Sequence, residues 1–186
     1  MDQDTRNERL EMLLDEREIK NVVLKYAHGT DRLNWEMVAD CYLPQATDDH
    51  GAFQGGPAAL AGWLADKSKY RGAKQHFVAN QLVEIAGDSA VCESYYCCYI
   101  EFVGDPEFVA DGESEAVLMG GRYVDRLSRA DGTWKIASRS AVVDWTRSLG
   151  KPAYWSAPAA EKFTRGRGDD SDPARVAFAE LRATAH

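Results

Sequence analysis

His76 and Asp31 are the residues best suited to acid–base chemistry near neutral pH. A neutral imidazole accepts a proton at one ring nitrogen and donates at the other, with an unperturbed pKa of about 6.5. A carboxylate on its far nitrogen would fix the tautomer and stabilise the imidazolium. Asp31 could be that carboxylate if the end of its helix meets the start of the strand that His76 opens. Plainer readings stand beside these: a helix-end Asp caps the next helix or faces solvent, and an isolated His is structural. Tyr26 precedes Asp31 by five residues, so the two differ by about 140° on a regular helix. Gly29 can distort or end that helix and turn Asp31 towards the interior.

Other polar groups form a second tier. Arg139 alternates with Lys135, Ala137 and Ala141 on the last strand, where its planar fork could anchor a carboxylate or stabilise an oxyanion. It could equally be ion-paired or solvated. Tyr95, Tyr96 and Tyr99 put phenols on both faces of one strand, so some must face inward, for hydrogen bonding or for packing. His28 and His50 stand in polar surroundings and are expected to be exposed. Cys41, Cys92, Cys97 and Cys98 form no CxxC and have no His at ligand spacing, so no metal site is expected and the thiols read as small buried apolar groups. There is no phosphate-binding Gly-rich loop, GxSxG elbow or HExxH.

The elements that position these residues are legible from periodicity. Apolar residues at Leu10, Leu13, Leu14, Ile19, Val22, Val23, Tyr26 and Ala27 predict an amphipathic helix over 5–33, with Asp15 and Glu16 as a place where it could divide. Asn34 is the expected N-cap of a second helix over 35–42, stopped by Pro44. TDDHGAFQGGP reads as a polar, Gly-rich passage. Pro57 opens a third helix running to Lys69. Strands are predicted over 76–85, 90–103, 116–127 and 133–145, with Asp131-Gly132 as the clearest hairpin turn. Short turns between long strands predict an antiparallel, strongly curved sheet. Beyond Gly150 the chain is rich in Pro, Gly, Ala and charge, with a terminal helix over 173–184 that is either mobile or packs on a neighbouring subunit. Helices followed by a meander predict an α+β fold with a cavity between sheet and helices.

Composition sets the class. The 186 residues suit one domain with a tail, divided at about 1–150 and 151–186, and bury enough surface to need no disulfide or metal. The net charge of −8 argues against nucleic acid, because the one dense basic cluster, Arg165 and Arg167, sits beside Asp169, Asp170 and Asp172. No apolar run approaches the roughly 20 residues that cross a bilayer, and the opening MDQDTRNERLEMLLDEREIK lacks a signal-peptide core. A cytoplasmic location without membrane association is therefore expected.

Three stretches carry a family resemblance. The run EIKNVVLKYAHGTDRLNWEMVADCYLPQATDDHGAFQGGPAAL resembles the opening of SnoaL-like domains of the NTF2-like superfamily. KQHFVANQLVEIAGDSAVCESYY resembles their first long strand, and GGRYVDRLSRADGTWKIASRSAVVDW their closing hairpin, so the resemblance spans about residues 15–147. It implies an NTF2-like cone, a strongly curved sheet wrapped around N-terminal helices with an internal pocket. The pattern is similar to cofactor-free eliminating members: hexachlorocyclohexane dehydrochlorinase, scytalone dehydratase and bile-acid 7α-dehydratase. By motif, His76 and Asp31 would form a catalytic dyad, with Tyr26 and Arg139 as further catalytic groups. Tyr95, Tyr96, Trp35 and Phe53 would bind substrate. The middle-strand Tyr95 or Tyr96 departs from those enzymes. The implied function is a cofactor-independent lyase of dehydratase or elimination type on a hydrophobic cyclic or aromatic molecule. An isomerase or polyketide-cyclase-type enzyme with the same dyad, and a non-catalytic binding or dioxygenase small-subunit-like module, are the alternatives. A homotrimer or homodimer is expected, with Trp145, Tyr154 and Trp155 helping to cover the open sheet face.

Overall fold

A computed structural model of the chain describes residues 2–110, 112–152, 164 and 166–184. Its elements run α1 (Gln3–Asp31), α2 (Trp35–Asp40), β1 (Tyr42–Asp49), β2 (Gln54–Gly55), α3 (Pro57–Ser68), β3 (Arg71–Ala86), β4 (Ser89–Val103), β5 (Ser114–Ala130), β6 (Thr133–Gly150) and α4 (Pro173–Thr184). One six-stranded sheet has the order β2-β1-β6-β5-β4-β3. The fold is α+β, with the N-terminal helices against a curved, unclosed sheet.

α1 is one continuous helix, capped by Asp2, whose side chain accepts from the Thr5 N–H. It does not divide at Asp15. That carboxylate instead fastens the helix to the last hairpin, accepting from Trp134 Nε1 at 2.9 Å and Arg129 Nη2 at 2.7 Å. Of its predicted apolar stripe Ile19, Val22, Val23, Tyr26 and Ala27 are buried, whereas Leu10, Leu13 and Leu14 stay exposed. Gly29 does not distort the helix either. A Cβ there would lie 3.0 Å from Val38 Cγ2, so the glycine lets α2 pack close while α1 runs on to Asp31. Asn34 caps α2, its Oδ1 accepting from the Met37 N–H.

The predicted polar passage after α2 is in part a strand. β1 pairs with β6 in parallel, and β2 pairs with β1, so the sheet is not wholly antiparallel. Its signal was hidden because one of its inward positions carries an acid: Asp48 is buried, and Tyr42 donates to it at 2.6 Å. Composition therefore read as loop where tertiary hydrogen bonds made a strand.

β3 to β6 form the antiparallel meander. Asp131 and Gly132 both adopt positive φ, 52° and 77°, between paired Ala130 and Thr133, the two-residue turn their types favour. The register shifts between Gly120 and Gly121. A Cβ on Gly121 would stand 1.9 Å from the Val142 carbonyl oxygen, so only glycine allows the approach that accompanies this bulge. The core joins the α1 stripe to Tyr96, Tyr123, Leu127, Trp134 and Ile136 on the concave face.

α4 falls where the terminal helix is predicted, and its described contacts are with its own chain. Arg175 donates to the Arg32 carbonyl, Asp172 lies 3.6 Å from Arg32, and Phe178 packs edge-on against His28. Tyr154, Trp155 and Arg165 lie outside the described residues. Among the described residues no helix is long and apolar enough to cross a membrane.

Candidate active site

The end of α1 meets the start of β3 through one carboxylate. Asp31 Oδ1 lies 2.6 Å from His76 Nδ1, and Asp31 Oδ2 accepts the His76 backbone N–H at 2.8 Å. Both side chains are nearly buried. Thr30 Oγ1, 3.4 Å from the same ring nitrogen, adds a longer contact. A carboxylate at Nδ1 favours the tautomer with its hydrogen on that nitrogen, and in that tautomer Nε2 keeps its lone pair. Among the described residues Nε2 has no hydrogen-bond partner, and His76 lines a cavity of about 170 Å³.

The cavity lies between the concave face of the sheet and α1 and α3. Tyr26 and Thr30 come from α1, Trp63, Leu64, Lys67 and Ser68 from α3, and the rest largely from alternate residues of the strands. Lys74 and His76 on β3 face Ile100 and Cys98 of β4, so a period of two places all four on one wall. Burial pushes the Cys98 thiol up to about 12, with Asp31 adding to the shift, so it serves as wall rather than nucleophile.

Of the expected site residues, His76, Tyr26 and Tyr96 line this cavity. Asp31 stands behind His76, where an orienting group belongs. Tyr96 stacks on Tyr123 at 4.4 Å and donates to the Val142 carbonyl at 3.1 Å; burial pushes its phenol up to about 12. The other four lie elsewhere. Tyr95 points to the opposite face and is 46% exposed. Trp35 and Phe53 pack against the edge of the core, Phe53 beside Trp63 at 5.5 Å.

Arg139, for which both a substrate anchor and an ion-paired residue were open, is ion-paired and does not line the cavity. Its guanidinium is sealed beneath the floor, donating Nε and Nη2 to the two oxygens of Asp125 at 2.6 Å each. Both side chains are fully buried. The guanidinium stacks 4.1 Å from the Tyr26 ring and 4.3 Å from the Tyr123 ring. Burial opposes its charge, but Asp125 more than offsets that and holds its pKa well above the usual range. A long arginine on a strand facing a curved interior finds an aspartate on the neighbouring strand before it finds the cavity.

Three site residues were not legible as such. His50, expected to be exposed, lines the cavity: its Nδ1 meets Asp48 Oδ1 and its Nε2 lies 3.0 Å from the Tyr26 hydroxyl. Asp48 is the second, and the signal for both was the D-x-H spacing, which puts the two on one face once 42–49 is read as a strand. Lys74 is the third, and its signal was its place two residues before His76. Burial raises the Tyr26 phenol far above its ordinary value, only partly offset by Arg139, so it stays protonated. A wider cleft of about 470 Å³ adjoins the cavity, sharing Ser68, Arg71 and Lys74 with it. Asp31, Arg32 and the tail residues Gly166, Arg167 and Gly168 are also among its walls.

A model of the SnoaL-like domain family matches residues 11–140. Among curated proteins, none matches the sequence. Solved structures share the fold at low identity. Hexachlorocyclohexane dehydrochlorinase (LinA) type 2 superimposes with a TM-score of 0.68 at 17% identity, covering 81% of this chain and 99% of that one. A scytalone dehydratase-like protein of Novosphingobium aromaticivorans gives 0.63 at 17%, covering 78% and 95%. A protein of unknown function from Mycobacterium tuberculosis gives 0.59 at 19%, covering 93% and 89%. The helix-then-meander order, the curved sheet and the match over most of the chain agree: the chain belongs to the SnoaL-like domain family, within the NTF2-like superfamily.

Proposed function

We propose that the protein is a cofactor-independent lyase of the dehydratase or elimination type, acting on a hydrophobic cyclic or aromatic small molecule. The observation that carries this reading is the 2.6 Å contact between Asp31 and His76, with Nε2 left free on a cavity wall. A merely ligand-binding pocket has no need of a buried carboxylate that fixes an imidazole tautomer, so the contact favours chemistry over passive binding. The family's dehydrochlorinase and dehydratase neighbours support the same class.

His76 Nε2 takes a proton from the carbon next to the leaving group. The C–H electron pair becomes the new double bond, the bond to the leaving oxygen breaks, and Asp31 stabilises the imidazolium that results. Tyr26, protonated and on the same cavity, supplies the proton that the departing oxygen needs. With His50 neutral, the Tyr26 hydroxyl is donated to His50 Nε2; with His50 protonated, that N–H donates to the phenol oxygen and frees the phenol proton for the leaving group. Asp48 lies against the other nitrogen of the same ring, Nδ1, and holds its orientation. Arg139 acts through Tyr26 as a positioning group.

Size limits the substrate. A cavity of about 150 Å³ holds one benzene ring, and this one, about 170 Å³, suits a single six-membered ring with small substituents. Assembly as a homodimer or homotrimer fits the exposed Phe77, Tyr95 and Trp145 on the sheet. The test is turnover of candidate cyclic alcohols by the wild-type protein, with product mass recorded. Loss of water or acid supports the reading, conserved mass points to the isomerase or cyclase alternative, and wild-type rates in His76→Ala exclude the dyad.

A further inference from the structure

The charge on the cavity walls is of one sign. Among the described residues Lys67, Arg71 and Lys74 line the cavity and no Asp or Glu does, in a chain whose net charge is −8. Two of these cations are neutralised from behind. Arg71 donates to Asp105 at 2.5 Å, and Lys67 lies 2.8 Å from Glu107 and 3.9 Å from Asp105. Lys74 differs. Among the described residues its ammonium makes no hydrogen bond or ion pair, and it lies over the face of Trp35, 5.7 Å from the ring centroid. Burial lowers its pKa, and Asp31 only partly opposes that shift. An ammonium drawn out of water without a partner is a standing cost, and the group that would offset it is an anion supplied from the cavity.

We propose that the ligand of this cavity is a six-membered-ring compound carrying one carboxylate, and that Lys74 binds that carboxylate while His76 faces the far side of the ring. Lys74 and His76 stand two residues apart on one face of β3, a span of about 7 Å along a strand. Both therefore stand on the same cavity wall, where they can meet different ends of one bound ring. Lys74 also belongs to the wall of the adjoining cleft, where Arg32, Arg71 and Arg167 stand with it against one acid, Asp31, so the path to it from outside carries a net positive charge. Such a path draws in anions against the chain's overall charge. The assignment deepens the lyase reading by naming its substrate class, and it rests on that reading for the role of His76; the charge preference itself stands without it.

The experiment is calorimetric titration of the full chain at pH 7 with benzoate and with benzamide, its neutral counterpart of the same shape. Benzoate is expected to bind at least about tenfold more tightly, equivalent to about 1.4 kcal/mol, and its affinity to fall as salt is raised. Lys74→Met is expected to erase the difference while benzamide affinity stays within about twofold; Lys74→Gln repeats the measurement if the methionine variant does not fold. Equal binding of the two probes by wild type overturns the proposal, as does failure of benzoate to bind, or a preference that survives both substitutions. The two readings fail separately. A protein that prefers benzoate but eliminates nothing loses the lyase assignment alone, whereas rapid elimination from a neutral ring unaffected by Lys74→Met loses this one alone.

Discussion

Asp31 grips His76 at two points, its Oδ1 at the ring Nδ1 and its Oδ2 at the backbone N–H of the same residue. The double contact removes rotational freedom from both side chains and ties the C-terminus of α1 to the start of β3. One carboxylate thereby sets where the imidazole stands, which nitrogen carries its proton and which nitrogen faces the cavity.

Asp31→Asn keeps the shape and removes the charge. The amide can offer its nitrogen to Nδ1 and so favour the wrong tautomer. Turnover is expected to fall by about 10²–10⁴ with little change in melting temperature. Steady-state kinetics beside a thermal melt checks this; a large loss of stability with an intact rate would mean that the contact is only a clamp.

The Arg139–Asp125 pair behaves as structure. Removing one partner of a fully buried pair leaves the other charge uncompensated, which costs about 3–5 kcal/mol. Arg139→Met is expected to lower the melting temperature by about 6–20 °C in a chain of this size. The double replacement Arg139→Met with Asp125→Leu should recover most of that. Denaturant midpoints of the wild type and the two variants decide it, since an arginine acting only on substrate would show no recovery.

Tyr26 and His50 should act as one unit. Tyr26→Phe and His50→Gln are each expected to lower kcat by about 10–100-fold, and the double variant to be little worse than either single one. Fully additive losses would place the two in separate roles.

Lys74 should weaken the fold it serves. Its folded pKa lies below its unfolded value near 10.5, so folding is penalised at every pH where the unfolded side chain is protonated. Lys74→Met is therefore expected to match or exceed wild-type stability at pH 7, by up to about 1 kcal/mol or about 2–4 °C. The sign has a signature. The gap is full below the depressed pKa and closes as pH rises towards 10.5, which melts at pH 7, 9 and 10.5 would trace. A gap that widens with pH would contradict it.

The sequence by itself determined most of the architecture. The α1 stripe from Ile19 to Ala27, the Asn34 cap, Pro57 at the head of α3, the Asp131-Gly132 turn and α4 over 173–184 all depend on interactions within a few residues, so local spacing exposes them. It also brought forward His76 and Asp31 as types, though their contact crosses 45 residues. Tertiary structure decided the rest. β1 exists because β6 lies beside it, and the buried Asp48 is tolerable only because Tyr42 and His50 reach it. Arg139 was turned from the substrate by Asp125, which the hairpin register alone places opposite it. His50 and Lys74 gain their meaning from which side of a curved sheet each faces. Strand composition fixes the alternation, but which side becomes the cavity wall is settled only when the sheet folds over α1, because that packing is what removes one side from water.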